Sequence, residues 1–172
     1  MKKSDIRIIP SYGSDYANQA GDQDLMEQLP QGGIGLFQNS IPELEKTGTK
    51  TYALGKWTVH EIIEHLADTE RIFQYRALRF ARQDKTPLSA FDENMYAAVS
   101  KANDRSIKEL LDEYQSVRHA THTLFKTFDK EQFFFYGSAN GQDCSVIALG
   151  FMMIGHAVHH HRVIQERYFT LG

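Results

Sequence analysis

From Val146 to Ile154 the chain has no polar side chain, and a helix built on this stretch is apolar on every side. Such a helix can only be satisfied at the centre of a core, with other elements packed all round it. Ser145 is placed to cap its start, and the helical pattern runs on to about Tyr168. The apolar run is far shorter than the ~20 residues needed to span a bilayer, so a buried core helix is expected rather than a membrane segment.

Two further helices announce their own beginnings. Thr58-Val59-His60-Glu61 is a capping box, in which the Thr and Glu side chains each accept from the other's free backbone N–H. Val59, Ile62, Ile63, Leu66, Phe73, Ala77 and Phe80 follow at helical spacing, to about Ala81. A second box, Ser106 to Glu109, opens a stripe of Ile107, Leu110, Leu111, Tyr114, Val117, Thr121, Leu124, Phe125 and Phe128. Between them, residues 82–104 are polar, broken at Pro87 and marked by Phe91 and Tyr96, a long connection of the kind that crosses a bundle end or covers a site.

The remaining segments are weaker. Leu25, Leu29, Leu36 and Phe37 suggest a first helix, but Pro30, Gly32, Gly33 and Gly35 predict that it is bent or starts late. Residues 1–20 read as an irregular lead-in, with Tyr12 and Tyr16 packed down. In residues 129–144 an aromatic run, Phe133 to Tyr136, is followed by a Gly-Ser-Ala-Asn-Gly turn, and no strand pattern stands out. The expectation is an all-α four-helix bundle over residues 21–172.

Composition excludes several functions. With 41% hydrophobic and 24% charged residues, the 172-residue chain has the make-up of one soluble domain. A net charge of -3, with Lys and Arg scattered, argues against nucleic acid as a partner. The basic N-terminus lacks a signal-peptide core, so a cytoplasmic location is expected. A single cysteine, Cys144, excludes an internal disulfide and a cysteine-built metal cage.

Histidine is the unusual residue: eight in all, four of them between positions 156 and 161. Residues four apart share a helix face, so the imidazoles of His156 and His160 can reach one point and supply two metal ligands from a rigid support. Leu149, Met153, Val163 and Ile164 lie on the same face, where two imidazoles without a common partner are poorly satisfied. Bonding to backbone or water is the alternative, and His159 competes with His160 as the partner of His156. His65, at the border of the second helix's stripe, can add a third imidazole from a neighbouring helix and leave coordination positions open. His60 sits in the capping turn, His119 and His122 lie off the third helix's stripe, and His161 falls on the opposite face from the pair. Cys144 precedes His156 by about 18 Å of helix at 1.5 Å per residue, beyond ligating reach.

Gly55-Lys56-Trp57-Thr58, the run from Glu61 to Arg71, Tyr75 to Arg79, Phe91-Asp92 and Gly155 to His160 together resemble the DinB-like (damage-inducible) superfamily of metal-dependent enzymes. The resemblance covers roughly residues 20–170. It implies up-down-down-up connectivity, often a homodimer, and a metal triad on the positions of His65, His156 and His160. The ion it implies is nickel, zinc or iron, and the activities are transfer of low-molecular-weight thiols, isomerisation and hydrolysis.

These readings converge on a metal-dependent enzyme acting on a small molecule, either a thiol S-transferase or a hydrolase. Asp68 and Thr69, one turn beyond His65, can orient it or the substrate; Asp92 and Glu93 can act as proton acceptors. Arg76 and Arg118 suit a substrate carboxylate or a core-edge ion pair equally well. The rival expectations are a non-catalytic metal-binding module or stress-related scaffold, and a metal-free bundle.

Overall fold

The computed structural model describes residues 1–171. Its main helices are α1 (Ser14–Gln19), α2 (Leu25–Gln28), α3 (Ile34–Gln38), α4 (Ile41–Thr47), α5 (Val59–Ala81), α6 (Glu93–Val99), α7 (Ile107–Phe125) and α8 (Val146–Arg167). Both capping boxes form as expected, with Thr58 and Ser106 each accepting from the N–H three residues on. The apolar start of α8 is buried without a break from Val146 to Ala157, and the other helices are arranged around it. Each fully buried Leu or Phe side chain in this core contributes about 1.5–3 kcal/mol.

The contacts give the direction of each wall. Glu64 meets Arg105 and Arg71 meets Glu113, so α5 and α7 run parallel. His65 meets His156 while Arg118, held to Glu70, reaches the Met153 carbonyl, so α8 runs against both. The first wall, residues 14–47, runs with α8: Gly13 abuts Met152, Tyr16 lies on Gly155 and Ser40 bonds His161. This is the up-down-down-up four-helix bundle.

That first wall is not one bent helix but four short pieces, and it begins inside the segment expected to be irregular. The reason is close approach to α8. A Cβ on Gly155 would lie 1.7 Å from the Tyr16 carbonyl oxygen, so α1 rests backbone-to-backbone on the central helix. At Gly33, φ is +79° and a Cβ would fall 2.4 Å from the Ala157 Cβ. Glycine adopts this conformation without steric cost, and here it breaks the helix to let the chain pass over α8.

Two other expectations need correction. Residues 136–145 form a hairpin, β1 (Tyr136–Ala139) paired antiparallel with β2 (Gln142–Ser145). Its turn, Asn140-Gly141, has positive φ at both positions (53° and 71°), the signature of a two-residue hairpin loop. Ser145 starts α8 but does not cap it; its hydroxyl donates to the Ile8 carbonyl at 2.8 Å, tying down the lead-in. The hairpin also fixes the long connection, since Leu88 N–H donates to Ser138 O and Asn140 N–H to Leu88 O. Residues 89–93 are thereby held over one side of the bundle. Among the described residues no helix is long and apolar enough to cross a membrane.

Candidate metal centre

Helix α5 turns one stripe into the core and sets a second beside it. Ile62, Ile63 and Leu66 pack into the core, and His65, Thr69, Phe73 and Arg76, spaced four, four and three apart, line a cavity of about 500 Å³. Helix α8 presents His156 and His160 to the same cavity. Tyr12, Tyr16 and Trp57 form the rest of its aromatic wall, and Glu93 stands on the exposed side. Trp57 is positioned by the Tyr168 hydroxyl, which donates to its carbonyl at 2.5 Å, and its ring lies 4.7 Å from that of His65.

The three Nε2 atoms face one another. His156 Nε2 lies 2.9 Å from His160 Nε2 and 3.2 Å from His65 Nε2, and the candidate donor atoms all fall within 4.8 Å of one another. Three nitrogens bound at ~2.1 Å to one ion stand about 3.0–3.4 Å apart in octahedral or tetrahedral arrangement, and the two distances from His156 suit a shared ion. A neutral imidazole carries a single N–H, and His156 Nε2 cannot satisfy both neighbours with it. A cation at the common point uses all three lone pairs at once.

Electrostatics favour the ligating form. Burial pushes His65 down to about 4. The pKa values of His156 and His160 are driven well below the ordinary histidine value by burial first and neighbouring imidazoles second. All three rings are therefore neutral near pH 7, with lone pairs free. Thr69 Oγ1 lies 3.4 Å from His65 Nδ1, within reach of an Nδ1–H that leaves Nε2 pointing inward.

Other sequence candidates lie elsewhere. His159 turns aside to Gln19 (3.5 Å) and the Tyr16 ring edge. His161 bonds Ser40 at 2.9 Å and packs on Phe37. The Cys144 thiol is buried and pushed up to about 12, which makes it inert. Of the carboxylate candidates Glu93 lines the cavity, and Asp68 and Asp92 do not. Asp68 pairs with Arg71 at 3.3 Å on the α7 side, and Asp92 spends its carboxylate capping α6, accepting from Asn94 and Met95 N–H at 3.0 and 3.1 Å. Being one turn from His65 placed Asp68 along the axis but not around it. Arg118 is buried in a bidentate pair with Glu70, both N–O distances 2.7 Å. The Tyr12 and Tyr16 part of the aromatic wall depends on α1 docking, which no local signal fixes; the two tyrosines, four apart beside Gly13, are its sign in the sequence.

Comparison with known proteins agrees with this architecture. The DinB superfamily pattern matches residues 40–164, and the chain belongs to that family. An Oceanobacillus iheyensis protein named "Putative metal-dependent hydrolase" is 31% identical over 97 residues, 51% of this chain. The match spans 54% of that relative, about half its length. Among solved structures, Bacillus subtilis YfiT, described as a probable metal-dependent hydrolase with an unusual four-helix bundle topology, superposes with a TM-score of 0.74. That comparison covers 97% of this chain and 92% of YfiT at 16% identity. A mycothiol-dependent maleylpyruvate isomerase superposes over 81% of this chain and 60% of its own, with a TM-score of 0.64 and 13% identity. At these identities the two structures speak for the fold.

Proposed function

We propose that the protein is a metal-dependent hydrolase of small molecules, with His65, His156 and His160 as ligands of one divalent ion. The observation that carries the reading is the convergence of three neutral imidazole nitrogens at the edge of a large cavity. A purely structural metal site is closed by protein ligands, whereas three ligands beside open space leave positions for a reactant. This argues against a non-catalytic module. An ion held there supplies Lewis acidity and lowers the pKa of a bound water towards ~7.

The chain's own residues do the rest. Thr69 holds the His65 ring in the ligating tautomer. Trp57 and Tyr16 wall the histidines against bulk water, which strengthens electrostatic interactions inside. Glu93, the carboxylate in the cavity lining, fills the proton-acceptor role expected of it or of Asp92 and accepts a proton from the nucleophile. A three-imidazole donor set accommodates zinc, nickel or iron.

Thiol S-transfer is the second reading. It is favoured by a cavity of about 500 Å³, which has room for a low-molecular-weight thiol beside a second reactant. A homodimer belongs to the same proposal and is checked by light scattering.

The test is to strip the protein with a chelator and reload it separately with zinc, nickel and ferrous iron. Each form is then assayed with small esters and amides, and with a thiol plus an electrophilic aryl halide. Turnover that disappears on stripping and returns with one metal supports the enzyme, and the reactive substrate set decides between the readings. Stoichiometric metal without turnover of either set overturns both.

A further inference from the structure

The helix that carries His65 also carries a buried arginine with no counter-charge. Arg76 is only 4% exposed, and among the described residues no carboxylate lies within ion-pair distance of it. Its Nη2 donates to the Ser89 carbonyl at 3.1 Å, its guanidinium stands 5.7 Å from the Phe73 ring centroid, and the Tyr12 hydroxyl lies beside it. Arg118 shows what a structural arginine in this bundle looks like: two oxygens of Glu70, the Leu29 and Gly32 carbonyls and the Tyr114 hydroxyl surround it. Arg76 has no such cage. A guanidinium taken out of water is unfavourable unless an anion offsets its charge.

Where the missing anion belongs follows from position. Arg76 lines the same cavity as the three histidines. It lies eleven residues beyond His65 on the same stripe of α5, about 16 Å along the axis at 1.5 Å per residue. Helical side chains lean towards the N-terminus, so its guanidinium is directed back along the cavity towards His65. The cavity lining holds no lysine and no second arginine, and Glu93 stands at its edge. One planar fork with a neighbouring hydroxyl suits a single negative charge, and a dianionic phosphate is poorly matched here.

We propose that Arg76 anchors the carboxylate of an elongated substrate whose reacting end lies at the histidine cluster. Placing the reacting end there rests on the metal-site reading; the anion site at Arg76 does not. Tyr12 donates a second hydrogen bond to the carboxylate, and the Phe73 ring packs against the carbon chain between the two ends. The selectivity is for acids a few bonds longer than one that the histidines alone can hold.

Trp57 is the chain's single tryptophan and lies in this wall, so its fluorescence reports on the cavity. Titrate metal-free protein with hexanoate and with hexanamide, its uncharged counterpart. The charge-assisted bonds predict about tenfold or greater preference for hexanoate. Arg76→Gln reduces that preference to within about twofold, while Arg76→Lys keeps part of it because the charge remains. Equal affinities in the wild type, no binding of hexanoate, or a preference that survives Arg76→Gln overturns the proposal. If Arg76→Gln fails to fold by circular dichroism, the wild-type comparison and Arg76→Lys decide.

A second arm uses zinc-loaded protein with 6-mercaptohexanoate and 6-mercaptohexanol. Preference for hexanoate in protein that takes up no metal leaves the Arg76 site standing and removes the metal reading. Metal held through the three histidines without any carboxylate preference does the reverse.

Discussion

His65 Nε2 lies 3.2 Å from His156 Nε2, although 91 positions separate the two residues in the chain. Antiparallel packing of α5 on α8 creates this contact, and burial keeps both rings neutral. Two lone-pair-bearing nitrogens brought this close, with the His160 nitrogen beside them, are held against their own repulsion unless a proton or cation joins them.

Thr69 is the side chain that orients His65 from outside. Thr69→Val keeps the shape and removes the oxygen facing Nδ1. Loss of such a partner weakens metal affinity by about 10–100-fold. Competition against a chromophoric chelator measures it, and an unchanged affinity removes Thr69 from the site.

The depressed histidines give the metal-free protein a defined pH response. An unfolded histidine takes up its proton near 6.5, whereas His65 in the folded chain does so only near 4, and His156 and His160 well below 6.5. Across that window the unfolded state binds more protons, so stability falls as pH falls, by up to about 1.4 kcal/mol per pH unit for each site. Urea midpoints of metal-free protein from about pH 7 to about pH 5 test the sign. A flat or rising stability on acidification contradicts the burial of these rings.

Much of this bundle is legible in the sequence where local chemistry fixes it. The boxes at Thr58 and Ser106 give the starts of α5 and α7, and the all-apolar run gives α8, because each signal acts over a few neighbouring residues. The i,i+4 pair His156 and His160 is readable for the same reason. Helix α1 is not: six mostly polar residues acquire their helix from resting on Gly155, a contact made 139 positions away. The hairpin hid behind strands four residues long with little β-branched character, although Asn140-Gly141 is a sound turn signal. The sequence does not say which way a carboxylate turns: Asp68 meets Arg71, and Asp92 caps α6. Arg76 and Arg118 read alike until packing gave Glu70 to one of them and to the other none.

The buried pair between Glu70 and Arg118 carries stability rather than chemistry. Glu70→Ala leaves the guanidinium uncompensated in the core and costs about 3–5 kcal/mol. Arg71→Ala, which breaks a partly exposed pair with Asp68 and Glu113, costs less than about 1 kcal/mol. Urea denaturation of both variants checks the ranking, and a mild effect at Glu70 shows that Arg118 finds its support elsewhere.

Metal content per chain tests the central claim most directly. Wild-type protein and His156→Ala, each equilibrated with zinc and freed of unbound ion, are compared by elemental analysis. The convergence of three imidazoles predicts one tightly held ion in the wild type and close to none in the variant, with the helical content of the two unchanged. Equal metal in both, or none in the wild type, contradicts it.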